Sequence, residues 1–240
     1  MTTYEVRLTQ TVEIADGTAA FQFTKPAGFN FKPGQAVDLV LIDPASPNAE
    51  NLRHTFSIVA APFQEELVLA TRMRDSAYKR ALRSLPVGAA ASIEGPFGSL
   101  VLPEDRARPA VFIAGGIGIT PFISILRQAA HDRLPQHLRL LYSNRRPEDA
   151  AFLEELQQRD RQHENFRLVA TMTAISKSSR QWDGETVSID GAFLKRAAGA
   201  LVAPIYYVAG PPTMVEEMCE TLNRMDVDDD DICSEDFFGY

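Results

Sequence analysis

A glycine-rich turn at residues 115–118 stands in a setting that suits a phosphate group. It follows the apolar run Ala110–Ala114, which is typical of a buried parallel strand. Thr120 and Pro121 come next and form a common helix start. The backbone N–H groups of such a turn, with the positive end of the helix, favour a negatively charged ligand. The order differs from the dinucleotide fingerprint G-x-G-x-x-G, because Pro121 stands where the third glycine would be.

A second strand-to-helix turn repeats this arrangement further along the chain. The apolar run Ile205–Val208 is soon followed by Gly210-Pro211-Pro212, and a helical pattern begins at Thr213. The carboxyl ends of parallel strands meet at one edge of the sheet, where open α/β sheets bind ligands. We therefore expect both turns to open on this edge. A stiff connector without a binding role is the alternative for a turn that contains two prolines.

The segment Arg53–Ser57 places an aromatic ring beside a hydroxyl group on a predicted strand. Phe56 and Ser57 point to opposite faces of such a strand, yet both backbones can border one planar ligand. The alternative puts Phe56 in a hydrophobic core and Ser57 in solvent. Further along, Ser76 follows two arginines and precedes a helical pattern, so it either binds a pyrophosphate or caps the helix.

The first hundred residues have the pattern of an antiparallel β-barrel. Six short β-rich runs are separated by clusters of Gly, Pro, Asn and Asp, which is typical of a small closed barrel. One helical segment interrupts them at Ser76–Leu85. The predicted strands are Tyr4–Leu8, Ala19–Thr24, Ala36–Ile42, Thr55–Val59, Leu67–Thr71 and Ala90–Glu94.

From about residue 109 apolar strands alternate with helical stretches, which predicts an α/β domain with a parallel sheet covered on both faces. The polar, proline-flanked stretch 103–109 marks the boundary, so we predict two domains at 1–105 and 106–240. The predicted strands are Ala110–Ala114, Leu138–Tyr142, Phe166–Thr171 and Ile205–Val208. The predicted helices are Pro121–His131, Pro147–Arg161, Asp190–Ala198 and Thr213–Met225.

Composition excludes several classes of protein. A net charge of −8 over 240 residues argues against nucleic-acid binding. No apolar run approaches the length of a membrane span, and the first residues lack the basic and apolar regions of a signal peptide. Cys219 and Cys233 are too few for a four-cysteine iron–sulfur cluster, and no metal site is predicted. We expect a reduced, cytoplasmic protein.

The charges are unevenly distributed along the chain. The stretch 72–83 holds five basic residues and one acidic residue, whereas the last fifteen residues hold seven acidic residues and no basic one. Charge runs are usually solvated faces. The basic stretch is also a candidate docking surface for an acidic partner.

Taken in order, these signatures resemble the ferredoxin–NADP reductase superfamily, in which a flavin-binding barrel is joined to an NAD(P)-binding α/β domain. The resemblance covers essentially the whole chain and implies FAD rather than FMN as the flavin, with NADPH or NADH as the hydride donor. The signatures are the aromatic-Ser strand, GPFG at 95–98, GGxGxTP at 115–121, Trp182–Glu185, AGPPxM at 209–214 and the C-terminal run Glu235–Tyr240.

The resemblance assigns the predicted site residues to three groups. The flavin-binding group is Arg53, His54, Phe56, Ser57, Thr71, Arg72, Met73, Ser76, Phe237 and Tyr240. The NAD(P)-binding group is Gly115, Gly116, Gly118, Thr120, Ser143, Arg145, Arg146, Gly210, Pro211 and Met214. The catalytic candidates are Ser57, near the reactive flavin nitrogen, and Glu235, on the nicotinamide side. A C-terminal aromatic ring, Phe237 or Tyr240, would shield one flavin face.

Three positions depart from the family pattern. His54 stands two residues before Phe56, where the family usually has an arginine that pairs with flavin phosphate. A neutral imidazole offers one donor where arginine offers a charged fork, so we expect weaker or pH-dependent flavin binding unless Arg53 takes over. This departure also leaves FMN open as the flavin. Phe56 lacks the hydroxyl of a tyrosine, and Ala209 replaces a common cysteine.

The segment after strand Leu138–Tyr142 bears on the choice of nicotinamide cofactor. Ser143, Arg145 and Arg146 suit a 2′-phosphate, and no Asp or Glu follows this strand directly to hold a ribose diol, which favours NADPH. Solvated loop arginines are the alternative.

The function implied by the resemblance is a flavin-dependent oxidoreductase that passes electrons from NAD(P)H to an external one-electron carrier such as ferredoxin or flavodoxin. One alternative is the reductase component of a multi-protein oxygenase. Another is a non-catalytic subunit that senses flavin or nucleotide, which the absent arginine and cysteine keep open.

Overall fold

Two units make up the computed structural model, which describes residues 2–41, 52–103, 106–199 and 201–238. The first unit is 1–101 with 120–129, and the second is 102–119 with 130–240. The division differs from the predicted ranges 1–105 and 106–240, chiefly because 120–129 group with the first unit. Among the described residues, no helix is long and apolar enough to cross a membrane.

The first unit is built on six antiparallel strands, as the sequence predicts. Ile58 bridges to Leu69, and the Val59 N–H donates to the Val68 carbonyl at 2.8 Å, so the two outermost strands meet and the sheet closes. The strands are β1 (Thr2–Ala15), β2 (Thr18–Thr24), β3 (Ala36–Leu41), β4 (Arg53–Ser57), β5 (Glu66–Arg72) and β6 (Ala90–Phe97), in the order β4-β3-β6-β1-β2-β5.

Strand β1 is much longer than the predicted Tyr4–Leu8. Its first part, Thr2–Arg7, pairs with β6, and its second part, Leu8–Ala15, pairs with β2. Register shifts interrupt the second pairing at Leu8/Gln10 and Glu13/Ala15, and such irregularities bend a strand. The second part contains polar residues on both faces, so its sequence lacks the alternation that would have extended the prediction.

Helix α1 (Ala77–Ser84) packs on the barrel core through Tyr78, Lys79 and Leu82. It begins at Ser76, whose Oγ accepts a hydrogen bond from the Lys79 N–H at 3.2 Å. Helix α2 (Thr120–His131) contacts the same unit, because the Ser124 hydroxyl donates to the Ala60 carbonyl at 2.6 Å.

The second unit contains five parallel strands, as the alternation of strands and helices predicts. The strands are β7 (Ala110–Gly115), β8 (Leu138–Asn144), β9 (Phe166–Met172), β10 (Ile205–Gly210) and β11 (Ile232–Asp236), in the order β11-β10-β7-β8-β9. The helices are α3 (Leu153–Gln162), α4 (Gly191–Ala198) and α5 (Pro212–Asn223). From β7 the chain first builds one side of the sheet and then the other, so β7 and β10 flank the topological switch point.

Two elements of this unit differ from the prediction. The expected helix Pro147–Arg161 is a 3-10 turn at Pro147–Asp149 followed by α3, because Phe152 adopts a left-handed conformation with φ of 60°. The sequence analysis missed β11, an acidic and half-exposed strand at the edge of the sheet. Its five residues lack the apolar alternation by which the other strands were recognised.

Candidate functional site

The two faces of β4 carry different chemistry. Phe56 lies opposite Val37 and His54 opposite Leu39 in the register with β3, and directly opposed residues share a face. Val37 and Leu39 are fully buried, so His54 and Phe56 point to the core side. Arg53 alternates with His54 and therefore points to the opposite side.

On the core side, aromatic rings surround His54. Its ring centroid lies 4.9 Å from that of Phe56 and 5.2 Å from that of Tyr78, whose hydroxyl donates to the Leu39 carbonyl at 3.0 Å. Burial, helped by the charge of Lys79 and opposed by Asp38, lowers the pKa of His54 to about 4. The imidazole is therefore neutral at pH 7 and cannot supply the positive charge of an arginine.

Arg53 does not take over that role in this structure. Its guanidinium forms ion pairs with Asp38 at 3.0 Å and Glu94 at 2.7 Å on the far side of the strand. Arg53, a predicted flavin residue, thus lies on the opposite side of β4 from His54 and Phe56.

Lys79 is a buried cation beside the Phe56 ring. Its side chain is buried at 7% exposure, its Nζ donates to Thr71 Oγ1, and Nζ lies 5.6 Å from the centroid of the Phe56 ring. Burial lowers the pKa of the amine to about 8. The sequence analysis counted Lys79 among exposed docking charges, although its position between Tyr78 and Leu82 on a short helix is a signal that it faces inward.

Ser57 is buried at 3% exposure, and its Oγ has no hydrogen-bond partner within the described parts of the chain. Neither predicted alternative describes it fully, because Phe56 is a core residue but Ser57 does not face solvent. A buried hydroxyl without a partner costs stability, and such groups are rare unless a ligand or water completes them. The buried hydroxyl groups of Ser57 and of Thr71 on β5 fit a planar polar group such as a flavin ring.

The remaining predicted flavin residues are spread over both units. Ser76 caps α1, Met73 packs against the barrel core, and Arg72 ends β5. Phe237 belongs to the second unit, where its N–H donates to the Gly210 carbonyl at 2.9 Å. Tyr240 lies outside the described residues.

The two glycine turns of the second unit follow the neighbouring strands β7 and β10 and lie side by side. A Cβ added at Gly118 would lie 2.3 Å from the Ala209 carbonyl oxygen, and one at Gly115 would lie 2.3 Å from Met214 Sδ. A Cβ at Gly210 would in turn meet the Gly115 backbone N at 3.1 Å. These glycines therefore allow two strand ends at the switch point to approach closely, a requirement separate from phosphate binding.

The chain between β7 and α2 is a 3-10 turn at Gly116–Ile119, in which Gly116 has φ of 52°. Thr120 begins α2 and is buried at 1% exposure. Pro211 precedes α5, so the second turn also leads directly into a helix. Each turn thus leads into the positive end of a helix, which suits an anion, although Pro121 and Pro212 carry no N–H group.

The two arginines that follow the carboxyl end of β8 make different contacts. Arg146 forms a two-pronged ion pair with Asp149, with Nε–Oδ2 at 3.0 Å and Nη2–Oδ1 at 2.7 Å. Arg145 is exposed and makes no side-chain hydrogen bond with the described residues, and Ser143 beside it is half-buried. Only Arg145 of the two therefore presents its guanidinium fork to a ligand.

Asn144 is a candidate that the sequence analysis left out of its site. The residue is buried at 6% exposure, and its Nδ2 has no hydrogen-bond partner in the described ranges. Its position at the carboxyl end of β8 was the available signal, because this edge of a parallel sheet is where ligands bind. An unpartnered amide here fits a dinucleotide that completes it.

Glu235 lies on β11 opposite Ala209 of β10, beside the second glycine turn. Its side chain is half-buried, and burial raises the pKa of the carboxyl group. The carboxyl therefore holds its proton to a higher pH than an exposed glutamate does.

Comparison with known proteins agrees with this geometry. Residues 112–220 match the family described as the oxidoreductase NAD-binding domain. The reductase component of propane 2-monooxygenase from Rhodococcus jostii is 27% identical over 220 residues, and the match spans 89% of this chain but 57% of that protein. Ferredoxin–NADP reductase B from Sorangium cellulosum is 27% identical over 221 residues, which is 88% of either chain.

A solved structure shows the same fold over both units. The ferredoxin–NADP⁺ reductase from Neisseria gonorrhoeae, crystallised with FAD and NADP, superposes with a TM-score of 0.82 at 21% identity, covering 98% of this chain and 99% of that one. In this chain the shared fold consists of a six-stranded antiparallel barrel and a five-stranded parallel sheet. The switch point of the parallel sheet lies at β7 and β10. The chain is thus similar in sequence to a ferredoxin–NADP reductase over 88% of its length, it shares the fold of another, and its residues 112–220 match the oxidoreductase NAD-binding domain.

Proposed function

We propose that this chain is a flavin-dependent oxidoreductase that takes electrons from NAD(P)H and delivers them to an external one-electron carrier. The observation that carries the proposal is the buried, unpartnered hydroxyl of Ser57 on a strand of the flavin-type barrel. The similarity to the Sorangium reductase, which extends over both units, supports it. The flavin is FAD, by analogy with the Neisseria enzyme.

When bound, the flavin supplies the conversion of a two-electron hydride transfer into single-electron steps. The residues of this chain bind and orient it. Ser57 would complete its hydrogen bonding with the reactive edge of the ring, and Thr71 would line the same ring. Because both side chains are buried, they also keep water from that edge.

The second unit binds the nicotinamide cofactor at the carboxyl edge of its sheet. Gly116 and the helix start at Thr120 would hold the pyrophosphate, Gly210 and Met214 would line the nicotinamide pocket, and Glu235 would lie beside that pocket. Arg145 favours NADPH over NADH, because an exposed guanidinium without a carboxylate partner suits a 2′-phosphate. Arg146 does not contribute to this preference, since Asp149 already holds it.

The electron acceptor is a separate acidic redox protein of the ferredoxin or flavodoxin type. Arg74, Arg80 and Arg83 are exposed on and beside α1, although Arg80 pairs with Asp75. Lys79 leaves the docking surface because it is buried. Exchanging Arg74 and Arg83 together for Glu should slow electron delivery to ferredoxin at low salt. The difference in rate between wild type and variant should be smaller at high salt, because salt screens the attraction in the wild type and the repulsion in the variant.

A matched control carries the same charge change elsewhere. Arg161 and Lys195 are exposed on helices of the second unit, and their exchange for Glu should leave the rate with ferredoxin unchanged. Equal loss in both double variants would show that net charge, and not a local surface, governs the encounter.

A second candidate function is supported by the Rhodococcus relative, which is the reductase component of a monooxygenase. In that case the acceptor is an oxygenase component or its iron–sulfur carrier. Turnover of the purified chain with a panel of acceptors separates the two functions, because the true acceptor should give the highest kcat/KM.

The test of the proposed function is direct. Purified protein should be yellow, release FAD on denaturation, and lose its visible flavin absorbance when mixed with NADPH without oxygen. A protein that binds every flavin poorly, or binds one that NADPH and NADH cannot reduce, would contradict the proposal. The second outcome would favour a sensing subunit.

A further inference from the structure

Lys79 is a buried cation whose direct contacts, the Thr71 hydroxyl and the Phe56 ring, are neutral. Its amine makes one hydrogen bond, to the Thr71 hydroxyl, and lies above the uncharged Phe56 ring. His54 is neutral as well, and no carboxylate of the described residues forms an ion pair with Lys79. A buried charge is expensive unless it is paired, so this position calls for an anion that the described chain does not supply.

Lys25 in the same barrel shows that contact with a ring does not by itself explain this arrangement. Its Nζ lies 5.5 Å from the centroid of Phe31, much as Lys79 lies over Phe56. The Lys25 amine, however, donates to the carbonyls of Pro62 at 2.6 Å and Gln64 at 3.2 Å. Lys25 thus has the backbone acceptors that Lys79 lacks, although both amines lie over an aromatic ring.

The position of Lys79 in α1 favours a phosphate as the missing anion. Lys79 lies in the first turn of an eight-residue helix that starts after Ser76, and helix side chains lean toward the N-terminus. The N–H groups of a first turn and the positive end of the helix add to the attraction for an anion. Arg53 does not compete for this ligand, because it is paired on the opposite side of β4.

We propose that Lys79 binds a phosphate group of the flavin and so provides the positive charge that His54 does not. This inference rests on the function proposed above, since it requires a bound flavin. It assigns the anchoring of the phosphate to a lysine on α1, in place of an arginine on β4.

FMN and riboflavin test the assignment, because they share the ring and differ by the phosphate. Apoprotein is titrated with each flavin, and quenching of flavin fluorescence gives the two Kd values. Lys79→Met should raise the Kd for FMN roughly 10- to 100-fold, as expected for loss of a hydrogen bond to a charged group, and leave that for riboflavin unchanged. Lys79→Arg should keep most of the FMN affinity, and Lys25→Met should change neither Kd.

Salt gives an independent measurement. The FMN affinity of the wild type should fall with ionic strength more steeply than that of Lys79→Met, because only the wild type forms the ion pair. Lys79→Gln is the substitute if Lys79→Met fails to fold, and unfolding of the apoproteins checks this directly.

Two results would overturn the assignment. If Lys79→Met weakens riboflavin as much as FMN, the lysine acts on the ring or on the fold; if it weakens neither, the lysine is not part of the site. A wild-type protein that binds no FAD, FMN or riboflavin would instead contradict the proposed function itself, so the two failures are distinguishable.

Discussion

The barrel and the parallel sheet prepare their candidate sites in opposite ways. The barrel buries polar side chains that lack suitable partners, the Ser57 hydroxyl and the Lys79 amine. The sheet instead has glycine, which lacks a side chain, at positions 115, 118 and 210, and this allows two backbone turns to come into contact. In the barrel, the two buried polar groups lower the stability of the protein without ligand, and we propose that a ligand supplies their missing partners. In the sheet, the same residues that shape the site are also required for the fold.

The largest expected effect tests the sheet half of this comparison. Gly118→Ala should destabilise the second unit by about 3 kcal/mol, because its Cβ would collide with the Ala209 carbonyl and the backbone must move. Urea unfolding followed by the fluorescence of Trp182, the single tryptophan, reports on this unit.

Gly191→Ala is the matched control in the same unit. Its Cβ would meet Thr221 Cγ2 at 3.5 Å, which is an ordinary contact, and alanine suits a helix better than glycine. Its free energy of unfolding should be unchanged or slightly higher. Similar losses at both positions would show that close approach is not what distinguishes Gly118.

The second effect concerns the barrel and its dependence on pH. The pKa of His54 is about 4 in the folded protein against 6.5 for an ordinary histidine, so the unfolded state binds more protons between these values. Stability should therefore fall as the pH drops from about 6.5 to about 4, by on the order of 2 kcal/mol.

His54→Gln should remove that part of the pH dependence. Urea unfolding of wild type and variant, followed by circular dichroism at pH 7 and at pH 4.5, measures the difference. A variant that loses as much stability as the wild type over this range would show that His54 is not held neutral by the barrel.

The third effect compares two neighbouring arginines at the edge of the sheet. Arg145→Ala should raise the KM for NADPH roughly tenfold and leave that for NADH unchanged, because one charge-assisted contact to the 2′-phosphate is lost. Arg146→Ala should instead lower stability, since it leaves the buried Asp149 carboxylate without its partner. Loss of NADPH selectivity in the Arg146 variant would reverse these roles.

The smallest effect compares two buried serines of the first unit. Ser57→Ala should leave the apoprotein as stable as the wild type or up to about 1 kcal/mol more stable, because the hydroxyl has no partner to lose. Ser124→Ala should cost about 1 kcal/mol, because its hydroxyl donates to the Ala60 carbonyl at 2.6 Å. With FAD bound, only Ser57→Ala should slow flavin reduction by NADPH. Equal destabilisation of the two apoproteins would mean that Ser57 is not waiting for a ligand.

Much of the fold could be predicted because its signals are local. Strands such as Ala19–Thr24 and Leu138–Tyr142 were located within two residues of the observed ends, since alternation and turn residues act over short distances. Strand β11 escaped prediction because it is stabilised by pairing with β10 and not by its own apolar residues. The break at Phe152 escaped for a similar reason, as a left-handed phenylalanine has no marker in the sequence.

The sequence alone determined the order of the two folds, the glycine turns at two strand ends and the resemblance to one superfamily, because these depend on residue type and spacing. Only the tertiary structure decided which charges meet. In the folded protein Lys79 is buried and Arg53 is exposed. Arg146 forms an ion pair with Asp149, whereas Arg145 is exposed. Such choices follow from which strand or helix face lies against which neighbour, and that depends on residues far apart in the chain.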